Sequence, residues 1–261
     1  MIGIFDSGLG GLTVARAIMD ELPGYDITYF GDTARTPYGA KSAGTVEKYA
    51  LEDIEFLLSK GARVIVMACN SASSVVTEPV IQTLPVPVFE VISPAVALAA
   101  EHSRSGRIGV IGTRATINSD IYKTKILEKR PRAKVFSTPC PLLVPLVEEG
   151  WINKPETTMI IKKYLRPLKM QQIDTLILGC THYPILKKII ARKIGARTCA
   201  IDSSTAVARS VRTHFEAHPE IEKTVSKNGR TAFHVSDMTA QFHKTAQMIL
   251  EKKVTLEPVS L

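Results

Sequence analysis

Two cysteines lie in matching sequence contexts 111 residues apart, and that match restricts the fold more than any other feature of the chain. Val64–Ser73 reads VIVMACNSAS and Thr175–Pro184 reads TLILGCTHYP. Each is a short apolar run, a small residue, a cysteine and then a small polar residue. Apolar runs of this length that end abruptly in polar residues predict buried strands of a parallel sheet. A second pair of motifs recurs in the same order, IGIFDS at Ile2–Ser7 and IGVIGT at Ile108–Thr113. From Ile2 to Cys69 is 67 positions, and from Ile108 to Cys180 is 72. Order and spacing predict an α/β fold built by duplication. Two lobes are expected, each a mostly parallel sheet flanked by helices.

The polar stretch SRSGR at Ser103–Arg107 marks the crossing between lobes. One strand and one helix at the C-terminal end, Thr231–Val235 and Thr239–Glu251, are surplus to a two-fold repeat. They are expected to pack back on the first lobe. The expected division is 1–95 plus 209–261 for a discontinuous N-terminal lobe, and 96–208 for the second. Apolar periodicity predicts helices over 73–83, 118–129 and 185–193 among others. It also predicts a strand over Val88–Ile92, followed by a helix with Ser93 as N-cap and Pro94 at its first position. Asp202-Ser203-Ser204 is expected to cap a helix from Thr205.

In open α/β sheets, ligands bind just past the carboxyl ends of the strands. Cys69 and Cys180 are therefore expected at two equivalent ligand-binding positions. Two facing thiols suit a reaction that takes a proton from one face of a carbon and returns one to the other. A free thiol has a pKa of about 8.5, so a thiolate near neutrality needs help from helix N-termini or charged neighbours. Asp6 and His182 are the candidate proton partners, one in each half. Ser7 and the Gly8-Leu9-Gly10-Gly11 turn could hold a carboxylate or an amine; a GxG alone is weak support for a dinucleotide site. Cys140, Cys199 and the other five histidines lack such contexts and read as structural. Glu148 and Glu149 read as an exposed helix end.

No apolar run approaches the ~18 residues of a membrane span. Met1 is followed at once by a strand containing an acid, so no signal peptide is expected. Four cysteines without a CxxC pair argue against a zinc site and a disulfide framework. A cytoplasmic location with reduced thiols is expected. The formal net charge is +8, but the basic residues are scattered at helical spacing without interleaved aromatics, which argues against nucleic acid.

Five segments, IGIFDSGLGGLTV, GDTARTPYG, MACNSAS, VPLVEEG and LGCTHYP, together resemble the glutamate racemases of the aspartate/glutamate racemase superfamily, and the match runs nearly end to end. The resemblance implies two pseudo-symmetric lobes with the active site in the cleft between them, and an isomerase with no cofactor and no metal. It implies Cys69 and Cys180 as the two acid/base thiols, with Asp6 and His182 tuning them. Asp6, Ser7, Tyr38, Gly39, Asn70, Ser71, Thr181 and His182 would bind glutamate. A site glutamate is expected at Glu148, with Glu149 left open. Ser71 departs from the family, which usually has Thr there; the hydroxyl is kept. The expected partners are glutamate and a second copy of the chain in a homodimer, with no membrane partner. The implied role is supplying D-glutamate for bacterial peptidoglycan. Competing readings are a racemase for aspartate or a related lyase, an amino-acid-binding protein without chemistry, and a regulator acting through its basic surface.

Overall fold

The computed structural model describes residues 1–260. Among the described residues, ten strands form two separate sheets. The strands are β1 (Ile2–Asp6), β2 (Ile27–Gly31), β3 (Val64–Met67), β4 (Val88–Glu90), β5 (Arg107–Gly112), β6 (Lys134–Pro139), β7 (Thr175–Gly179), β8 (Cys199–Asp202), β9 (Thr231–Val235) and β10 (Glu257–Pro258). One sheet has the order β10-β9-β2-β1-β3-β4 and the other β6-β5-β7-β8. Every pairing in both is parallel. Without β9 and β10, the first sheet reads 2-1-3-4 and the second 6-5-7-8. The two sheets thus share one connectivity, with β3 and β7 at equivalent places.

Residues alternate between the two faces of a strand, and both faces here are covered. Ile2, Ile4, Val64 and Val66 pack with the helices Leu12–Glu21, Ser203–Ala217 and Ala240–Leu250. Phe5, Ile65 and Met67 point the other way, into a core with the helix Ala43–Ser59. The second sheet repeats the pattern. Leu176 and Leu178 join the helices Pro155–Met170 and Lys187–Ile194. Ile177, Ile108 and Val110 join the helices Ile92–His102 and Ile121–Lys129. The C-terminal β9 pairs with β2 along Ile27↔Thr231 to Gly31↔Val235. At the crossing between sheets, Asp174 accepts from the Ser103 hydroxyl at 2.7 Å and from the Ser105 amide at 2.6 Å. Among the described residues, no helix is long and apolar enough to cross a membrane.

Four local expectations are corrected. The helix expected over 73–83 is two short ones, Asn70–Ser73 and Glu78–Gln82; Pro79, which has no N–H to give, sits in the first turn of the second. The strand ends at Glu90 rather than Ile92, and the next helix starts at Ile92. Glu90, not Ser93, caps it, because its carboxylate accepts from the Ser93 amide at 2.8 Å and from the Ile92 amide. The helix expected over 118–129 breaks at Asp120, whose φ of 53° is left-handed, giving Arg114–Asn118 and Ile121–Lys129. The helix expected from Ile185 starts at Lys187, after a 3-10 turn over Tyr183–Leu186.

Ile4 is fully buried in the middle of β1. Ile4→Ala is expected to lower the free energy of unfolding by about 2–5 kcal/mol, read from urea denaturation.

Candidate active site

Sheet register places the site. In the first sheet Phe5 is opposite Met67, and in the second Gly112 is opposite Gly179. Continuing each strand past its end sets Ser7 beside Cys69 and Thr113 beside Cys180. Both thiols line one cavity with Ser7, Asn70, Thr113 and His182. Cys69 is 4% exposed and Cys180 is 5% exposed. The space between them is about 30 Å³, room for about one or two waters.

On the first side, the Cys69 thiol donates to the Ser7 hydroxyl at 3.4 Å. Burial, then the nearby Asp6 carboxyl, push this thiol up to about 12, although contacts to Ser7 and the Ala72 amide pull it down. Asp6 is fully buried at the end of β1. Its Oδ2 accepts from the Gly8 amide at 3.1 Å and the Gly11 amide at 2.9 Å. Its Oδ1 accepts from the Thr181 hydroxyl at 3.4 Å. Burial raises the Asp6 carboxyl against the opposing pull of His182 and these amides. Asp6 is thus tied to the Gly8–Gly11 turn of one half and to the cysteine motif of the other.

On the second side, His182 Nδ1 lies 3.9 Å from Cys180 Sγ, and its Nε2 lies 3.1 Å from Glu148 Oε1. Burial alone would lower this imidazole. The contacts to Cys180 and Glu148 outweigh it and raise His182 to about 10. Glu148 ends the helix Leu143–Glu148. Glu149 lines a separate surface groove with Leu142 and Trp151, so the structure brings Glu148, not Glu149, to the site. Gly10 lets the halves meet: a Cβ there would lie 2.4 Å from both His182 Nδ1 and Thr181 Oγ1.

The remaining expected residues also line the cavity. Asn70 Oδ1 accepts from the Tyr122 hydroxyl at 2.7 Å, while its Nδ2 is buried with no hydrogen-bond partner. Ser71 Oγ meets Thr113 Oγ1 at 3.1 Å across the cleft. Tyr38 and Gly39 form part of the wall, but the Tyr38 hydroxyl is bonded to Asp32 and Asp53 instead of facing the cavity. The sequence reading missed Thr113, although the repeat aligns it with Ser7. It also missed Thr36 and Val144, which line the same cavity. Among the described residues, no group of three or more His, Cys, Asp or Glu side chains is placed to hold a metal ion.

Residues 13–211 match the Asp/Glu/Hydantoin racemase family. The chain belongs to that family. It is an amino-acid racemase, an isomerase. The racemase is similar to the glutamate racemase of Geobacter metallireducens, 44% identical over 253 residues that span 97% of this chain and 93% of that one. Its structure is similar to that of a glutamate racemase isoform from Bacillus anthracis, with TM-score 0.93, 35% identity and coverage of 100% and 97% of the two chains. A glutamate racemase from Francisella tularensis, solved in complex with D-glutamate, superposes with TM-score 0.90 at 37% identity over 99% and 97%.

His182 gives the racemase a pH dependence of known sign. A proton held more tightly in the folded than in the unfolded state stabilises the fold fully below the ordinary imidazole value of 6.5, and this is lost as pH rises through about 10. Urea stability is expected to fall across that window. Glu148→Gln removes one of the charges that raise His182, and should flatten the fall.

Proposed function

We propose that this racemase interconverts L- and D-glutamate without a cofactor, by two-base proton transfer between thiols. The observation that carries the reading is the pair of cysteines at topologically equivalent strand ends, both lining one cavity. Binding an amino acid gives two facing thiols no task, whereas taking a proton from one face of Cα and returning one to the other uses an acid/base group on each side. Glutamate as the substrate is supported by the relatives, which are themselves glutamate racemases.

In the proposed mechanism, the thiolate of Cys180 removes the α-proton of L-glutamate. The C–H electron pair stays on Cα, and the Cys69 thiol gives its proton to the opposite face. D-Glutamate reverses the roles. Burial favours a neutral Cys69 in the resting site. A bound substrate brings an ammonium into the cavity, and positive charge there lowers thiol pKa values. His182, whose protonated form is favoured by its contacts to Cys180 and Glu148 against burial, would supply a positive charge beside Cys180. The unpartnered Asn70 Nδ2 needs an acceptor, which a substrate carboxylate would provide. Ser7, Ser71, Thr181 and the Tyr38-Gly39 wall complete the binding set, and Asp6 holds the turn that carries Ser7. Donors at the strand ends would stabilise charge on the carbanionic intermediate. The space of about 30 Å³ is too small for glutamate, so the cavity must widen to admit it.

The reading extends to a cytoplasmic homodimer that supplies D-glutamate for peptidoglycan. It also extends to a division into 1–95 plus 209–261 and 96–208, which is supported by β9 pairing with β2.

The deciding experiment incubates the purified enzyme with L-glutamate in D₂O without added cofactor, following chirality and α-deuterium. D-Glutamate carrying deuterium at Cα is expected, with aspartate turned over more slowly. Intact L-glutamate without exchange, in a folded protein that binds it, would overturn the proposal. Cys69→Ser and Cys180→Ser should each lower racemisation by about 100- to 10,000-fold; full activity in either variant would exclude the two-thiol mechanism.

A further inference from the structure

The segment GDTARTPYG contributes Tyr38 and Gly39 to the cavity wall, but Asp32 and Arg35 do not line it. We propose that Asp32, Arg35 and Asp53 form a buried clamp on the Tyr38 hydroxyl, that the clamp holds one proton on Asp53, and that it positions the Tyr38-Gly39 wall against the substrate. The identity of that substrate rests on the glutamate reading above.

Asp32 and Asp53 are both fully buried. The Tyr38 hydroxyl is hydrogen-bonded to Asp32 Oδ2 and lies 2.9 Å from Asp53 Oδ2. A phenol has a single hydrogen to donate. If both acids were ionised, one of these contacts would join two bare acceptors. One acid therefore carries a proton and donates it to Tyr38 Oη.

The surrounding donors decide which acid that is. Asp32 accepts on both oxygens, from Arg35 Nε and Tyr38 on Oδ2 and from the Ser236 hydroxyl at 2.9 Å on Oδ1. That is the donor set of an ionised carboxylate. Asp53 accepts from Arg35 on Oδ1 alone, at 3.0 Å, which leaves Oδ2 free to carry the proton. Arg35 is shared with Glu52, which is also within 3.8 Å of Lys48. Burial and the adjacent Asp32 charge push the Asp53 carboxyl well above its usual range. The chain of donation thus runs from Asp53 to Tyr38 to Asp32.

This chain fixes one end of a wall whose other end meets the opposite half. Tyr38 opens a one-turn 3-10 helix, Tyr38–Ala40. A Cβ on Gly39 would come within 2.8 Å of Thr113 Cβ. The wall has little freedom between clamp and Thr113. Asp32, Arg35 and Asp53 are positioning residues. Their loss should weaken ground-state and transition-state contacts alike, which raises KM more than it lowers kcat.

The proton location separates conservative variants. Asn at position 53 can accept from Arg35 and donate N–H to Tyr38. Asn at position 32 puts an N–H where both oxygens must accept. Asp53→Asn should hold KM for glutamate within about twofold and rescue the loss caused by Asp53→Ala, while Asp32→Asn and Tyr38→Phe raise KM about tenfold with kcat within about threefold. Unchanged KM in Asp32→Asn and Tyr38→Phe, or equal damage in Asp53→Asn and Asp32→Asn, would overturn the clamp. Infrared difference spectra at neutral pH provide a readout independent of turnover. The wild type should show the carbonyl band of a neutral carboxylic acid that Asp53→Asn lacks, and its absence from the wild type also overturns the proposal. If the wild type fails to turn over glutamate, the racemase reading falls, and the infrared band still decides the clamp.

Discussion

The contact between the Gly8–Gly11 turn and the Thr181–His182 segment is the joint on which the site depends. Two sheets with no shared strand present their carboxyl ends to one cavity because this joint brings them together. Its closeness comes from what is missing at Gly10, where no side chain could fit against His182 and Thr181. Asp6 sits beneath the turn and spends its oxygens on two backbone amides and the Thr181 hydroxyl. A fully buried carboxyl is costly without such donors. The same donors that satisfy it fix the loop carrying Ser7, and Ser7 receives the Cys69 thiol. Chain geometry, burial and site chemistry meet in this one turn.

Equivalent topology has not produced equivalent electrostatics. The repeat aligns Asp6 with Gly112 and Ser71 with His182, so each half has a charged group where the other is neutral. Both charged groups lie at the joint, and His182 pulls against the burial that raises Asp6. Cys180 has an imidazole next to it, itself held by Glu148. Cys69 has only hydroxyl and amide neighbours and a carboxyl nearby, and its thiol is raised. The two thiols therefore sit in different environments.

The strands and the two thiols were legible because their signals are local. An apolar run ending in a small residue and a cysteine carries its own register, and the repeat supplied the second copy. Thr113 was legible in principle, being the counterpart of Ser7. The choice between Glu148 and Glu149 was not, since adjacent residues at a helix end differ only in which way the last turn points. Asp53 was hidden for another reason. A carboxylate within the helical run AGTVEKYALEDIEFLLS reads as part of a solvated face, and only the fold reveals Arg35 and Tyr38 beneath it. The helix boundaries failed where a side chain or backbone intervened: Glu90 capping from the strand, and Asp120 turning left-handed.

The pairing of β2 with β9 has a consequence for how the molecule is made. Every strand of the second sheet lies between residues 107 and 202, so that sheet has all its partners early in synthesis. The first sheet does not, because Ile27 waits for Thr231. Contacts of such sequence separation form late, and an unpaired strand edge invites the wrong partner in the meantime. The sheet that begins earlier in the sequence is thus completed after the other, and the turn that positions Asp6 and Ser7 hangs from it. Assembly of the cleft therefore waits for β9, with β2 open to misassociation until that strand is made.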